Sequence, residues 1–382
     1  MSHSNIRRDP RLVRQIKWLK QSGATSITTI GWGHKPDEVD DHYVVPVLPL
    51  LKRYFGYAIR HHSSRFNYFY GRYLDSVPSE VFLGVDLLIV NEIEYLGWSY
   101  FRNVDLVSVP TYIDLHEDHV KPAHRGPLER IAFLEYWKWQ LENLKNFSQE
   151  RQGLLRVTCV EKNIAESYAT FLSHPVDLIF NAPDENFLVP SAVNDNQIRL
   201  VHHGMGTKGR GIEQAVSAMK LLDARFTLDL VLFATPQFRL KIELMSRILR
   251  VRKRITISPG VPLSELPEVL NQFDVAIVLA PATGIPTHFN ALPNKFFESI
   301  HAKLALVVGP NPSMSELVRK HGNGFVLESW ETTALVQKLS SISVGEIELA
   351  KGNSATASKS LSSAASKETF DRAMSYLLSK IT

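Results

Sequence analysis

Apolar and polar positions along the chain keep switching between two periods. Short runs rich in Val, Ile and Leu at 26–30, 43–47, 85–90, 106–112 and 157–160 predict strands. Between them, 12–21, 127–147 and 163–172 place apolar residues three and four apart, which predicts amphipathic helices. The pattern then restarts, with strands predicted over 198–202, 226–233, 255–258, 275–280, 304–308 and 324–327. Helices over 211–222, 240–249, 263–271, 294–302 and 313–321 separate them. Strands alternating with helices imply parallel sheets covered on both faces. The break falls within 181–196, where Asn181-Ala182-Pro183 and residues 190–196 carry turn chemistry. The expected fold is therefore α/β, with two Rossmann-like doubly wound parallel-sheet domains facing a cleft. The boundaries are set at 1–185 and 186–350, with 351–382 as linker and C-terminal helix. The Ser/Ala/Lys-rich stretch 340–366 reads as a linker with a surface helix.

Composition narrows the class. A length of 382 residues exceeds one ordinary domain, and 44% apolar with 21% charged residues excludes wholesale disorder. Cys159 is the single cysteine, so no disulfide scaffold exists and a reducing compartment fits. Residues 1–11 are polar and lack the apolar core of a signal peptide. The apolar runs 85–90 and 275–280 fall far short of the ~20 residues a membrane helix needs. A cytoplasmic protein is expected, possible at the inner face of a membrane. A net charge of +4 is too mild to call for nucleic acid and suits an anionic small ligand or a membrane surface.

Ligands of open α/β sheets sit beyond the carboxyl ends of the strands, so loops after strands are where chemistry is sought. After 198–202 comes Gly204-Met205-Gly206-Thr207-Lys208-Gly209-Arg210-Gly211. Gly204, Gly206 and Gly209 match a dinucleotide fingerprint, but the next strand ends in Ala234-Thr235-Pro236 without the acid that a nicotinamide site needs. A P-loop is excluded, because no Gly-Lys-Ser or Gly-Lys-Thr occurs. Lys208 and Arg210 at a helix start suit a diphosphate; a glycine-rich connector with solvated charges is the alternative. A second segment, Leu292-Pro293-Asn294-Lys295-Phe296-Phe297-Glu298, opens a helix whose carboxylate suits ribose hydroxyls. The plain alternative for Glu298 is an exposed residue of an amphipathic helix.

The order of these segments resembles the donor-binding domain of nucleotide-sugar glycosyltransferases with the GT-B fold, nearest to the retaining family 4 (group 1). The residues carrying the likeness are Gly204, 208–211, Ser264-Glu265-Leu266-Pro267 before Asp274-Val275, 292–298, and Glu316-Leu317-Val318 before Gly322 and Gly324. The resemblance implies that Gly204, Gly206, Asn294, Lys295 and Glu298 bind the donor, Glu298 through its ribose. Lys208 and Arg210 would neutralise the diphosphate and act in catalysis. Two departures stand out: Asn290 replaces the earlier of the family's two glutamates, and Gly204-Met205-Gly206 replaces its Gly-Arg-Leu.

The first half resembles the same family more weakly, through Asp9-Pro10-Arg11 and then Gly23, through 111–117, and through 163–171 with 178–183. His116 ends a strand and by likeness would reach a donor sugar hydroxyl; the alternative makes Asp114 and His116 structural. Glu92 and Glu94 also follow a strand, and Gly31, Trp32 and Glu92 are the expected acceptor-side residues. No strand precedes Asp9, where the family has one. Residues 51–73 contain no acid and interleave Lys52, Arg53, Arg60, Arg65 and Arg72 with aromatics. Peripheral membrane contact beside a lipid-linked acceptor is one reading of this stretch, single-stranded nucleic acid a second and two aromatic-cored helices a third; no nucleic-acid partner is expected.

The implied activity is transfer of a hexose-like sugar from a nucleotide-diphosphate sugar to a glycan or lipid-linked acceptor, as in polysaccharide biosynthesis. It would be retaining and would need no cofactor. No metal site is expected: no two aspartates stand two residues apart, and His202-His203 lack nearby partners, so they read as structural or cleft-lining. The alternatives are an epimerase or hydrolase of nucleotide sugars and a non-catalytic sugar-nucleotide-binding partner.

Overall fold

The computed structural model describes residues 1–2, 5–45, 77–94, 96, 108–120, 127–281 and 292–381. The stretch 51–73, the run 98–107 and Asn290 lie outside them. Two compact units emerge: Met1–Ile179 with Lys367–Thr382, and Phe180–Ser366.

The first unit opens with helix α1 (Pro10–Gln21), started by Pro10 and capped by Asp9, whose carboxylate accepts the Arg11 N–H at 3.0 Å. Strands β1 (Thr28–Gly31) and β2 (Asp41–Val44) form a parallel pair. Strands β3 (Leu88–Asn91) and β4 (Thr111–Leu115) follow, then helix α2 (Pro127–Glu150), β5 (Leu155–Cys159), helix α3 (Lys162–Leu172) and β6 (Val176–Leu178). These four strands make a parallel sheet in the order β3-β4-β5-β6. Its core gathers Leu88, Val90, Ile113, Leu115, Val157 and Leu144. Ahead of Asp9, residues 1–2 already make strand-like contacts. Ser2 bridges Asn91 in parallel and donates its N–H to Ile30 O at 3.0 Å, while Asn91 N–H reaches Met1 O at 2.9 Å.

The second unit comprises β7 (Ile198–Gly206), α4 (Ile212–Ala218), β8 (Phe226–Ala234), α5 (Pro236–Ile248), β9 (Ile255–Pro259), α6 (Leu266–Asn271) and β10 (Val275–Val278). It continues with α7 (Asn294–His301), β11 (Ala305–Val308), α8 (Pro312–His321), β12 (Gly324–Val326), α9 (Thr332–Ser341) and α10 (Val344–Ser360). Its six parallel strands run β12-β11-β10-β7-β8-β9. Counted from β7, that is the 3-2-1-4-5-6 order of dinucleotide-binding sheets. The order reverses between β7 and β10, the switch point beyond whose carboxyl ends sheets of this kind bind their ligands.

Two stretches differ from the sequence reading. Gly204-Met205-Gly206 continues β7 instead of forming a loop, pairing with Leu232, Phe233 and Ala234. A Cβ on Gly206 would lie 2.5 Å from Ala234 Cβ, so glycine is what allows this close approach. Residues 340–366 are largely helical, not a linker. Ser343 and Glu346 form a capping box, and Ala350, Ser354, Ala357 and Ser358 are buried. Small side chains that suggested a linker instead let α10 press on its unit; Ser354 Oγ donates to Leu304 O at 2.6 Å. The last helix, α11 (Ser363–Leu378), returns to the first unit, seating Phe370 against Trp18 and Tyr112 with ring centroids 5.3 Å apart in both pairs. Among the described residues no helix is long and apolar enough to cross a membrane.

Candidate active site

In the second unit the end of β7 and the turn after it use positive φ. Gly204, Gly209 and Gly211 stand at +98°, +82° and +84°, a region costly for any residue with a Cβ. Gly211 also has no room, because an added Cβ would lie 2.7 Å from Leu279 Cβ. The turn presents exposed Lys208 and half-buried Arg210 at the start of α4.

Helix α7 faces this turn. Pro293 precedes it and offers no side-chain cap, so its first amide groups stay available to an anion. The side chain of Lys295 passes over Gly204, whose added Cβ would meet only Lys295 Cε at 3.9 Å. His202 Nδ1 lies 3.0 Å from Ile277 O and so carries the proton donated there. That leaves Nε2 as the acceptor for Lys295 Nζ at 3.1 Å. Burial, then Lys295 and His203, push His202 well below its usual pKa and keep it neutral. Burial, followed by the charge of Arg210, lowers Lys295 to about 7 against the pull of Glu298. Glu298 Oε2 in turn sits 3.0 Å from His203 Nε2. Asn294, exposed, takes the Asn181 amide at 2.7 Å.

Lys295, Arg210 and Glu298 thus act on one another at one end of the sheet, together with the glycine turn. The two histidines, read from sequence as structural or cleft-lining, meet Lys295 and Glu298 directly. Their signal was position: adjacent residues on one strand, of which each meets a different residue of α7.

The first unit gathers a polar set at the ends of β3 and β4. Asp114 is fully buried and receives Arg11 Nε at 2.5 Å, Arg11 Nη2 at 2.6 Å, Gln15 Nε2 at 2.5 Å and Thr158 Oγ1 at 2.8 Å. Burial alone would raise its carboxyl, but the Arg11 charge and the His116 and Arg11 hydrogen bonds hold it far below the carboxylate range. The His116 ring, about a quarter exposed, lies 3.4 Å from Asp114 Oδ2 and 3.6 Å from Glu92 Oε1. These two carboxylates raise its pKa despite burial. Glu92 adopts a φ of +68°, accepts the His116 N–H at 2.7 Å and meets His119 Nε2 at 3.3 Å. His119 stacks on Trp137, centroids 3.9 Å apart. Burial first, then Glu92, lifts Glu94 to about 7.

Asp114 is accordingly a buried anchor, while His116 is the residue with an open face. Gln15 and His119, singled out by no motif, complete the set with Arg11, which the sequence marked only as part of Asp9-Pro10-Arg11 and with no role. Gly31 ends β1, where an added Cβ would lie 2.7 Å from Ile6 Cδ1; Trp32 bridges Asn5 through the backbone. Among the described residues no group of three or more His, Cys, Asp and Glu forms a metal cage.

Residues 184–358 match the family model of the glycosyl transferases group 1. No curated protein matches the chain in sequence. Among solved structures, the sucrose-phosphate synthase from Thermosynechococcus elongatus superposes with a TM-score of 0.70 at 14% identity, over 96% of this chain and 92% of that one. WaaG, a glycosyltransferase involved in lipopolysaccharide biosynthesis, gives 0.57 at 13% identity, over 97% and 96%. A trehalose-6-phosphate protein from E. coli, bound with UDP-2-fluoro glucose, gives 0.64 at 11% identity, over 99% and 98%. The fold shared with these structures is GT-B. Residues 184–358 are thus a glycosyl transferases group 1 domain, and the protein that carries them is an enzyme of the glycosyltransferase class on the GT-B fold.

Proposed function

We propose that the enzyme moves a sugar, with retention and without a metal, from a nucleoside-diphosphate sugar to a glycan or lipid-linked acceptor. The observation that carries this reading is the convergence of Arg210, Lys295 and Glu298 beside the glycine turn at the switch point of the sheet. A diphosphate at that place meets the first amides of α4 and α7, the Arg210 guanidinium and the Lys295 ammonium, with Lys208 at the rim. As the bond between the sugar and the β-phosphate breaks, negative charge builds on the phosphate oxygens, and these fixed donors stabilise it without rearranging. The Glu298 carboxylate, oriented by His203, accepts from the ribose hydroxyls. His116, steadied by Asp114 and Glu92, is assigned to a hydroxyl of the transferring sugar.

With no second glutamate at Asn290, sugar selection passes to other residues of the site. The acceptor's hydroxyl gives its proton to the departing phosphate, which is how a front-face transfer balances without a side-chain base. A thermal-shift panel of UDP-, GDP-, ADP- and dTDP-sugars tests the reading. One base should raise the melting midpoint, and the rise should vanish in Glu298→Ala and shrink in Arg210→Ala. Turnover that EDTA abolishes and Mn²⁺ restores would overturn the metal-independent mechanism.

A further inference from the structure

The outer face of α5 has a composition that its own unit does not use. Leu240, Leu244 and Ile248 recur every four residues along it and are exposed, Ile248 at 79%. The opposite face of the helix is anchored by buried Ile242 and Ser246. With Ser217 of α4, the side chains of Leu240, Leu244 and Ile248 line an open groove of about 560 Å³. Exposed Leu221, just beyond α4, adds a further aliphatic residue.

Charge is concentrated on the same ground. From residue 220 to residue 254 the chain carries nine Lys and Arg against Asp223, Asp229 and Glu243, a balance of +6 where the whole protein has +4. Three of the nine are half-buried and serve the fold. Arg239 donates to Leu232 O at 2.8 Å, Arg254 reaches Asp223 O at 2.6 Å, and Arg225 pairs with Asp223 at 3.3 Å. The other six, Lys220, Lys241, Arg247, Arg250, Arg252 and Lys253, are exposed, although Lys241 also meets Glu213 and Arg252 donates to Ile255 O, both at 2.7 Å. By helical spacing Lys241 and Arg247 flank the aliphatic stripe on its two sides.

An apolar stripe bordered by cations is the pattern of a helix lying in the headgroup layer of a membrane. We propose that α5 and the basic turn after it dock this unit on a bilayer bearing anionic lipids, with Leu240, Leu244 and Ile248 entering the acyl boundary. A second copy of the chain is disfavoured, since pairing the face with itself would oppose two patches of the same sign. Nucleic acid would take the cations but leave the aliphatic stripe without a partner. The proposal is independent of the donor site, and it places lipid contact in the second unit.

Co-sedimentation of the full chain with vesicles tests it. Phosphatidylcholine vesicles containing one third phosphatidylglycerol should carry the protein down, and pure phosphatidylcholine should not. High salt should release it. Leu240→Gln with Leu244→Gln and Ile248→Gln should abolish sedimentation, at an unchanged oligomeric mass by light scattering. Arg247→Glu with Arg250→Glu and Lys253→Glu should weaken partitioning by about fivefold or more for each cation removed. The charge set stands as the test if the glutamine set fails to fold. Absence of sedimentation, variants that sediment like the wild type, or a wild-type dimer that the glutamine set dissociates would each overturn the proposal.

Discussion

Each unit of the protein buries a carboxylate against an arginine, and the two clamps sit at opposite ends of their strands. Asp114 is next to last in β4, and its partners Arg11, Gln15 and Thr158 leave one side to the half-open ring of His116. Asp274 stands just before β10, at the amino end. There Arg199 binds it through its backbone N–H at 2.8 Å and through Nη2 at 3.1 Å. Its remaining neighbour is the buried Lys351 of α10, 3.5 Å away, which also donates to Phe273 O and Ser191 Oγ at 2.8 Å. The chemistry is the same in both, but one shell opens on a histidine while the other closes on backbone and hydroxyl groups. Because open α/β sheets bind ligands at their carboxyl ends, the first clamp positions a site and the second ties its sheet to α10.

The largest effect is expected from Asp114→Asn. Losing the charge strands the Arg11 guanidinium in a buried site, costing about 3–5 kcal/mol. Urea unfolding should register that loss, and turnover should fall as well, since His116 loses its anchor. The folded carboxyl lies below its unfolded value, so its contribution is present above the ordinary carboxylate range and fades as acid titrates the folded group. Replacing the pair together, Arg11→Met with Asp114→Leu, should recover part of the stability but none of the turnover.

Asp274→Asn should cost less, about 2–3 kcal/mol, because Arg199 is partly exposed and can rehydrate. Lys351, which burial already lowers from its ordinary pKa against the pull of Asp274, would shed its proton more readily. The kcat of the folded fraction should be unchanged. A kcat that fell as far as in Asp114→Asn would erase the distinction between the two ends. Glu298→Ala, at the carboxyl end of the second sheet, should do the reverse. Stability should barely move, while donor affinity should drop roughly tenfold to a hundredfold for the lost charged hydrogen bonds, as calorimetric titration would show.

The same contrast explains what the sequence made legible. Strand and helix periods, the glycine turn and the helix bearing Lys295 and Glu298 are all local patterns, and each was visible in a short window, whereas the order of the strands in the second sheet was not. Nor were the clamps. Arg11 and Asp114 are 103 residues apart, Arg199 and Asp274 75, and His203 and Glu298 95. Nothing in the chain near His203 shows that a carboxylate waits across the sheet. The serine- and alanine-rich α10 failed for another reason: weak amphipathicity reads as a linker, although small side chains are what a closely packed helix needs.

The smallest effect expected is one of slope. Burial, then the charge of Arg210, lowers Lys295 to about 7. A diphosphate reverses that preference by supplying negative charge, so the bound site must have a higher pKa and binding must draw in a proton. Below pH 7 the lysine is already charged and affinity should be flat. Above it, affinity should fall, by at most tenfold per pH unit, until the pH passes the pKa of the bound site. Lys295→Arg keeps the charge at every accessible pH and should flatten the profile. Calorimetry in buffers of different ionisation enthalpy would detect the proton taken up by the wild type and missing from the variant. An equal pH slope in both proteins would remove Lys295 from the diphosphate and leave Arg210 and Lys208 as its cations.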